Sequence, residues 1–202
     1  MAIGIGMEAV AQATKLRHGR TKAQSRSAPS TKSDVACILG IDPGLDRTGY
    51  AVIEAGHRIR ASILDAGIIR SSTKSPLANR LFEIERELCD ILAEHRVELV
   101  AVEDLYAHYQ HPRTAILMGH ARGVILLAAS RQTIPVLSLP ATNIKKLLTG
   151  NGHAGKLQMQ RAVLSTFGLR KLPEPPDVAD ALAVAWCAGM CRGNRVAVAA
   201  KR

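Results

Sequence analysis

The sequence predicts an α/β domain built on a mixed five-stranded sheet with helices covering its faces. Three strand-like runs, 36–42, 49–54 and 59–69, follow one another with only short turns between them, as in an antiparallel meander. Beyond residue 70, helical and strand-like periods alternate, which favours parallel pairing and helices on the sheet. The apolar residues suit such a core: hydrophobic residues make up 47% of the chain, but aromatics only 3%. Packing must therefore rest on Val, Leu, Ile and Ala. At 202 residues the chain is long enough for one domain with a substantial interior.

The elements can be read in order. Residues 1–34 are rich in Ser, Ala, Thr, Lys and Arg without a sustained apolar period, which predicts a disordered basic extension. They have no 7–15-residue apolar stretch of a secretory signal. A basic tail or a misplaced start codon is the reading taken, with an organelle transit peptide as the alternative. The ordered domain is expected over 35–191. Pro43-Gly44 and Glu54-Ala55-Gly56 supply its first turns. Ser75-Pro76 opens a helix over 76–95 with an apolar period of three to four. A short buried strand at 98–103, a helix around 112–131 and a strand at 134–138 follow. Helices are expected at 141–149, 155–167 and 177–191, and then a basic tail over 192–202.

The net charge is +10, and it is uneven. Residues 1–34 hold six Lys/Arg against two acids, and 192–202 hold four against none, so the middle carries only a small excess. Basic ends attract a polyanion. Cys37, Cys89, Cys187 and Cys191 lack the paired spacing of a zinc site and read as buried free thiols. No apolar run reaches the roughly 18–20 residues of a membrane span, so a soluble cytoplasmic protein is expected.

Four carboxylates carry the functional reading. Asp42 ends the apolar run Cys37-Ile38-Leu39-Gly40-Ile41, and Glu103 ends Leu99-Val100-Ala101-Val102. Asp177 and Asp180 lie three apart on one face of a helix start. An unpaired charge at the end of a buried strand is costly unless something binds it. In a basic protein, such a set points to a hard divalent cation and a phosphodiester. The adjacent Glu103 and Asp104 face opposite sides of a strand, so only one can join Asp42; Glu103 is chosen, although spacing leaves the choice open. Asp177 also suits the helix dipole, a simpler reason for its place.

Other motifs are less specific. Gly150-Asn151-Gly152-His153-Ala154-Gly155-Lys156 resembles a nucleotide phosphate loop, but Leu157 stands where a Ser or Thr should hold the metal. A Gly-rich, basic, phosphate-touching loop is the reading taken. Tyr106 could stack on a base beside the acidic residues, or sit in the core. Trp186 falls in a core register.

Together, Ile38-Leu39-Gly40-Ile41-Asp42-Pro43-Gly44, Thr48-Gly49-Tyr50 and Val102-Glu103-Asp104-Leu105-Tyr106 resemble the RuvC family of Holliday-junction endonucleases. So do Gly119-His120-Ala121-Arg122-Gly123-Val124, the segment from Lys145 to Lys156, and Asp177-Val178-Ala179-Asp180-Ala181-Leu182-Ala183. The resemblance runs from about 36 to 189 in the family's order. It implies an RNase H-like fold, a homodimer, and symmetric nicking of a four-way DNA junction during recombination and repair. The implied catalytic and metal-binding quartet is Asp42, Glu103, Asp177 and Asp180, holding two Mg²⁺ per site, with Mn²⁺ as a substitute. Lys145, Lys156, Tyr106 and Arg122 are the implied DNA contacts, and the RuvA–RuvB branch-migration complex the implied partner. Departures are the basic extension, Tyr106 where some members have Phe, and Asp104 where Gln is frequent.

Three rivals remain in view. Another RNase H-fold nuclease would cut a different structured nucleic acid without needing a two-fold dimer. An ATPase of the actin and sugar-kinase type needs a second phosphate loop and two domains, for which the chain is too short. A binding-only junction protein would not need an intact quartet.

Overall fold

The structure, a computed structural model, describes residues 3–4, 35–56, 59–105 and 112–199. Three long strands come first: β2 (Val35–Asp42), β3 (Arg47–Gly56) and β4 (Ile59–Arg70), paired antiparallel in sequence. Helix α1 (Leu77–Glu94) leads to β5 (Leu99–Glu103), which pairs parallel with β2. Helix α2 (Pro112–Arg131) then leads to β6 (Val136–Leu139), parallel to β5. Helices α3 (Ala141–Thr149), α4 (Lys156–Phe167) and α5 (Pro176–Ala199) complete the domain. The five expected strands thus form a mixed sheet, with β2 between an antiparallel and a parallel neighbour. A two-residue strand, β1 (Ile3–Gly4), adds to its β4 edge by pairing with Ile68 and Gly67. The expected disorder of the rest of 1–34 lies outside the described residues.

Each sheet face builds its own core. On one side, α1 presents Ile84, Leu88, Ile91 and Leu92 at helical spacing, and α2 adds Ala121, Ile125, Ala128 and Ala129. They cover Leu39, Ile41, Val52, Val100 and Val102. On the other side, α5 lies on β2 and β3 with its small residues, Ala179, Ala181, Ala183, Ala185 and Ala188, all buried. Helices α3 and α4 flank it through Ile144, Met159 and Val163. Trp186 packs against this second core, as its register suggested.

The last helix runs to Ala199, eight residues past the end expected at 191. Gly193 and Asn194 are poor helix formers and signal a stop. The turn is instead tied to the sheet by an ion pair of 3.2 Å between Arg192 and Glu98, and Ala- and Val-rich sequence follows. No helix among the described residues is long and apolar enough to cross a membrane.

Candidate active site

Strands β2 and β5 are in register through Ile41 opposite Val102, so Asp42 and Glu103 leave the sheet side by side. Alternation places Asp42 on the face of Ile38 and Gly40, and Glu103 on that of Leu99 and Ala101. Ile38, Leu99 and Ala101 all pack on the α5 side. Asp104 falls on the opposite face, where its carboxylate meets the Arg122 guanidinium at 2.9 Å. The strand pleat thereby decides between the two adjacent acids.

Helix α5 delivers the other two carboxylates because two glycines let it descend onto the sheet. A Cβ on Gly40 would collide with the Ala181 carbonyl and the Ala185 amide. A Cβ on Gly49 would collide with the Asp177 carbonyl. With nothing in the way, the first turn of α5 rests over the ends of β2 and β3. Asp177 in that first turn and Asp180 one turn further on then lie on the side of Asp42 and Glu103.

Burial and mutual repulsion both act on these carboxylates. Burial, then repulsion from Glu103, Asp180 and Asp177, pushes the Asp42 carboxyl from its ordinary 3.8 up to about 8. Burial and Asp180 raise Glu103 from 4.5 to about 7. Asp180 is raised too, first by burial and then by Asp177. Two lysines oppose this: Lys156 favours the charged forms of Asp42 and Asp180, and Lys145 those of Glu103 and Asp180. Lys156 is the first residue of α4, where the helix dipole disfavours a cation. A residue that breaks a local rule this way is the mark of a site being served.

The remaining oxygen is unusual. Asp177 Oδ2 is buried and accepts no hydrogen bond, and the nearest cation is Arg47 Nη2 at 3.5 Å. A buried carboxylate oxygen without a hydrogen bond costs free energy unless a ligand meets it. The donor set is all oxygen, which suits a hard divalent cation. Among the described residues, no three His, Cys, Asp or Glu side chains already converge on a common point. The residues fit such an ion by charge and chemistry.

Comparison with known proteins decides the family. The family model described as crossover junction endodeoxyribonuclease RuvC matches residues 38–188. The RuvC of Rhodopirellula baltica is 49% identical over 161 residues, covering 80% of this chain and 90% of that protein. The RuvC of Caldicellulosiruptor saccharolyticus is 39% identical over 150 residues, covering 74% of this chain and 90% of that protein. The chain belongs to the RuvC family. The solved RuvC of T. thermophilus in complex with Holliday junction substrate superposes with a TM-score of 0.75 at 30% identity. That match covers 79% of this chain and 96% of the solved one.

Within this RuvC fold the remaining expected residues divide. Lys145 and Lys156 lie in the field of the carboxylates. Arg122 is turned to the other side of the strand ends, donating to Asp104, to Ser138 Oγ at 2.6 Å and towards the Glu103 carbonyl at 3.5 Å. Tyr106, expected to stack on a base, lies outside the described residues. The sequence reading overlooked Arg47. Its only signal was its place, five residues after Asp42 in the same turn.

Proposed function

We propose that this chain is a Holliday junction resolvase, a metal-dependent endonuclease that binds a four-way DNA junction and nicks two opposed strands symmetrically. The observation that carries the reading is that Asp42, Glu103, Asp177 and Asp180 lie within one another's electrostatic reach at one end of the sheet, opposed by Lys145 and Lys156. Carboxylates that raise one another's pKa are poised to accept positive charge. An all-oxygen donor set favours Mg²⁺, with Mn²⁺ as a substitute, and four carboxylates suffice for two ions. Such ions, when bound, supply a water made nucleophilic at neutral pH and neutralise the leaving 3′ oxygen.

The chain's own residues do the rest. Asp42, held by the central strand, would be the main ligand of such ions, Glu103 and Asp180 would complete their coordination, and Asp177 would ligate an ion or orient the water. Lys145 and Lys156 draw the scissile phosphates against the carboxylates. Tyr106 stacks on an unpaired base near the branch point.

Paired nicks need two identical sites related by a two-fold axis, so the working unit is a homodimer. Support for it comes from α2, whose outer face carries Ile116, His120, Gly123 and Leu127 in a 4-3-4 spacing. Ile116 is 61% exposed and Leu127 54%, two large apolar side chains left uncovered on this face within one chain. By family resemblance the dimer works with the RuvA–RuvB branch-migration complex in the cytoplasm. A strand-labelled four-way junction tests the reading. Cuts at symmetric positions in two opposed strands are expected with Mg²⁺, and none with chelator or on linear duplex. Equal cleavage of linear duplex would contradict it.

A further inference from the structure

Arg47 opens β3 directly after the turn that leads from β2. The turn's backbone is fixed from several sides. The Thr48 hydroxyl donates to the Gly44 carbonyl at 2.6 Å, and the Ser71 hydroxyl donates to the Leu45 carbonyl at 2.5 Å. The Ser71 amide reaches the Asp46 carbonyl at 3.4 Å, and the Asp46 carboxylate is paired with Arg80 of α1. Arg47 follows directly, so its Cα is held while its side chain, 48% exposed, extends over the site.

Its guanidinium stands 3.5 Å from Asp177 Oδ2 without making a hydrogen bond. With no hydrogen bond and a half-exposed guanidinium, the pair is loose, and Arg47 can exchange Asp177 for another partner. Asp177 is also the carboxylate whose buried oxygen has no hydrogen bond. A cation arriving among the four carboxylates would therefore take over the charge that Arg47 now faces. It would also repel the guanidinium, whose fixed backbone leaves it the solvent side of the turn. A phosphodiester lying against the site would present its oxygens there, and Arg binds phosphate well.

We infer that Arg47 is an exchangeable counter-ion of Asp177, competing with the divalent cation in the DNA-free protein and contacting a DNA phosphate once that cation is bound. The inference rests on the reading of the four carboxylates as a metal site, and it gives two effects of opposite sign. Removing the charge should tighten metal binding, because a competing cation is gone. It should also weaken DNA binding, because a phosphate contact is gone.

The test compares wild type, Arg47→Gln and Arg47→Lys as full chains, after confirming equal melting temperatures in chelator. Mn²⁺ binding to the DNA-free protein is followed by electron paramagnetic resonance. Four-way junction affinity is measured in Ca²⁺ across a salt series. For Arg47→Gln, Mn²⁺ binding is expected to tighten several-fold and junction binding to weaken several-fold, with the salt slope falling by about one. Arg47→Lys should stay near wild type in both. No change in either quantity, or weaker Mn²⁺ binding, would overturn the inference. Wild type that neither binds Mn²⁺ nor cleaves junctions in Mg²⁺ would instead overturn the proposed function.

Discussion

On the proposed function, Asp42 should bear the largest consequence of any single residue. Asp42→Asn keeps its shape and removes its charge, so junction cleavage should fall by at least about a thousandfold, while junction binding persists or tightens. Lys145→Ala or Lys156→Ala should each weaken binding, slow cleavage and reduce the salt slope by about one, read from affinity across a salt series. The raised carboxyls also give a pH dependence. Asp42 moves from 3.8 to about 8 and Glu103 from 4.5 to about 7, so the folded state holds protons that the unfolded state has released. Their contribution to stability is complete at low pH and is lost as pH rises towards 8. In chelator, the melting temperature should therefore decline between about pH 5 and pH 8. Asp42→Asn should flatten that decline, and Mg²⁺ should oppose it. A melting temperature in chelator that rises steadily over this window would contradict the assignment. Much of this site was legible in the sequence, because each acid ends a strand or opens a helix. What spacing left open between Glu103 and Asp104 follows from the pleat, and Arg47 was missed because an exposed arginine in a turn has no pattern of its own.

The site depends on one helix lying unusually close to two strands. Gly40→Ala places a methyl against the α5 backbone, which cannot yield as a flexible side chain can. The cost should exceed the ~1–3 kcal/mol usual for an overpacked core, and denaturant unfolding measures it. Gly49→Ala should push Asp177 outward and lower activity as well as stability. This closeness was not visible beforehand: Gly40 and Gly49 read as ordinary strand residues, and only tertiary packing shows what their missing side chains admit. Strands and helices were otherwise readable from periods of two and of three to four, because the chain rarely mixes them. The far end of α5 was expected at 191, where a basic tail was read to begin, whereas the helix continues to Ala199. Deleting residues 1–34 should reduce non-specific DNA affinity and leave junction cleavage largely intact. The deletion also removes Ile3–Gly4, a two-residue addition to the β4 edge, so its melting temperature shows how much that edge contributes.

In the whole molecule a nearly neutral middle lies between basic ends, and the proposed paired cuts need a two-fold arrangement. Mixing wild type with Asp42→Asn should yield heterodimers that nick one strand and leave the opposed strand largely uncut. Replacing Ile116 and Leu127 with polar residues should shift sedimentation towards monomer and abolish paired cuts before it abolishes folding. The central claim is that four clustered carboxylates bind a divalent cation in order to cut a DNA junction. Its most direct measurement is cleavage and binding of one labelled four-way junction by wild type and Asp42→Asn, each with Mg²⁺ and with chelator. The account predicts symmetric cuts only for wild type with Mg²⁺, and comparable junction binding by both proteins. Near-normal cleavage by Asp42→Asn, or cleavage by wild type that persists in chelator, would contradict it.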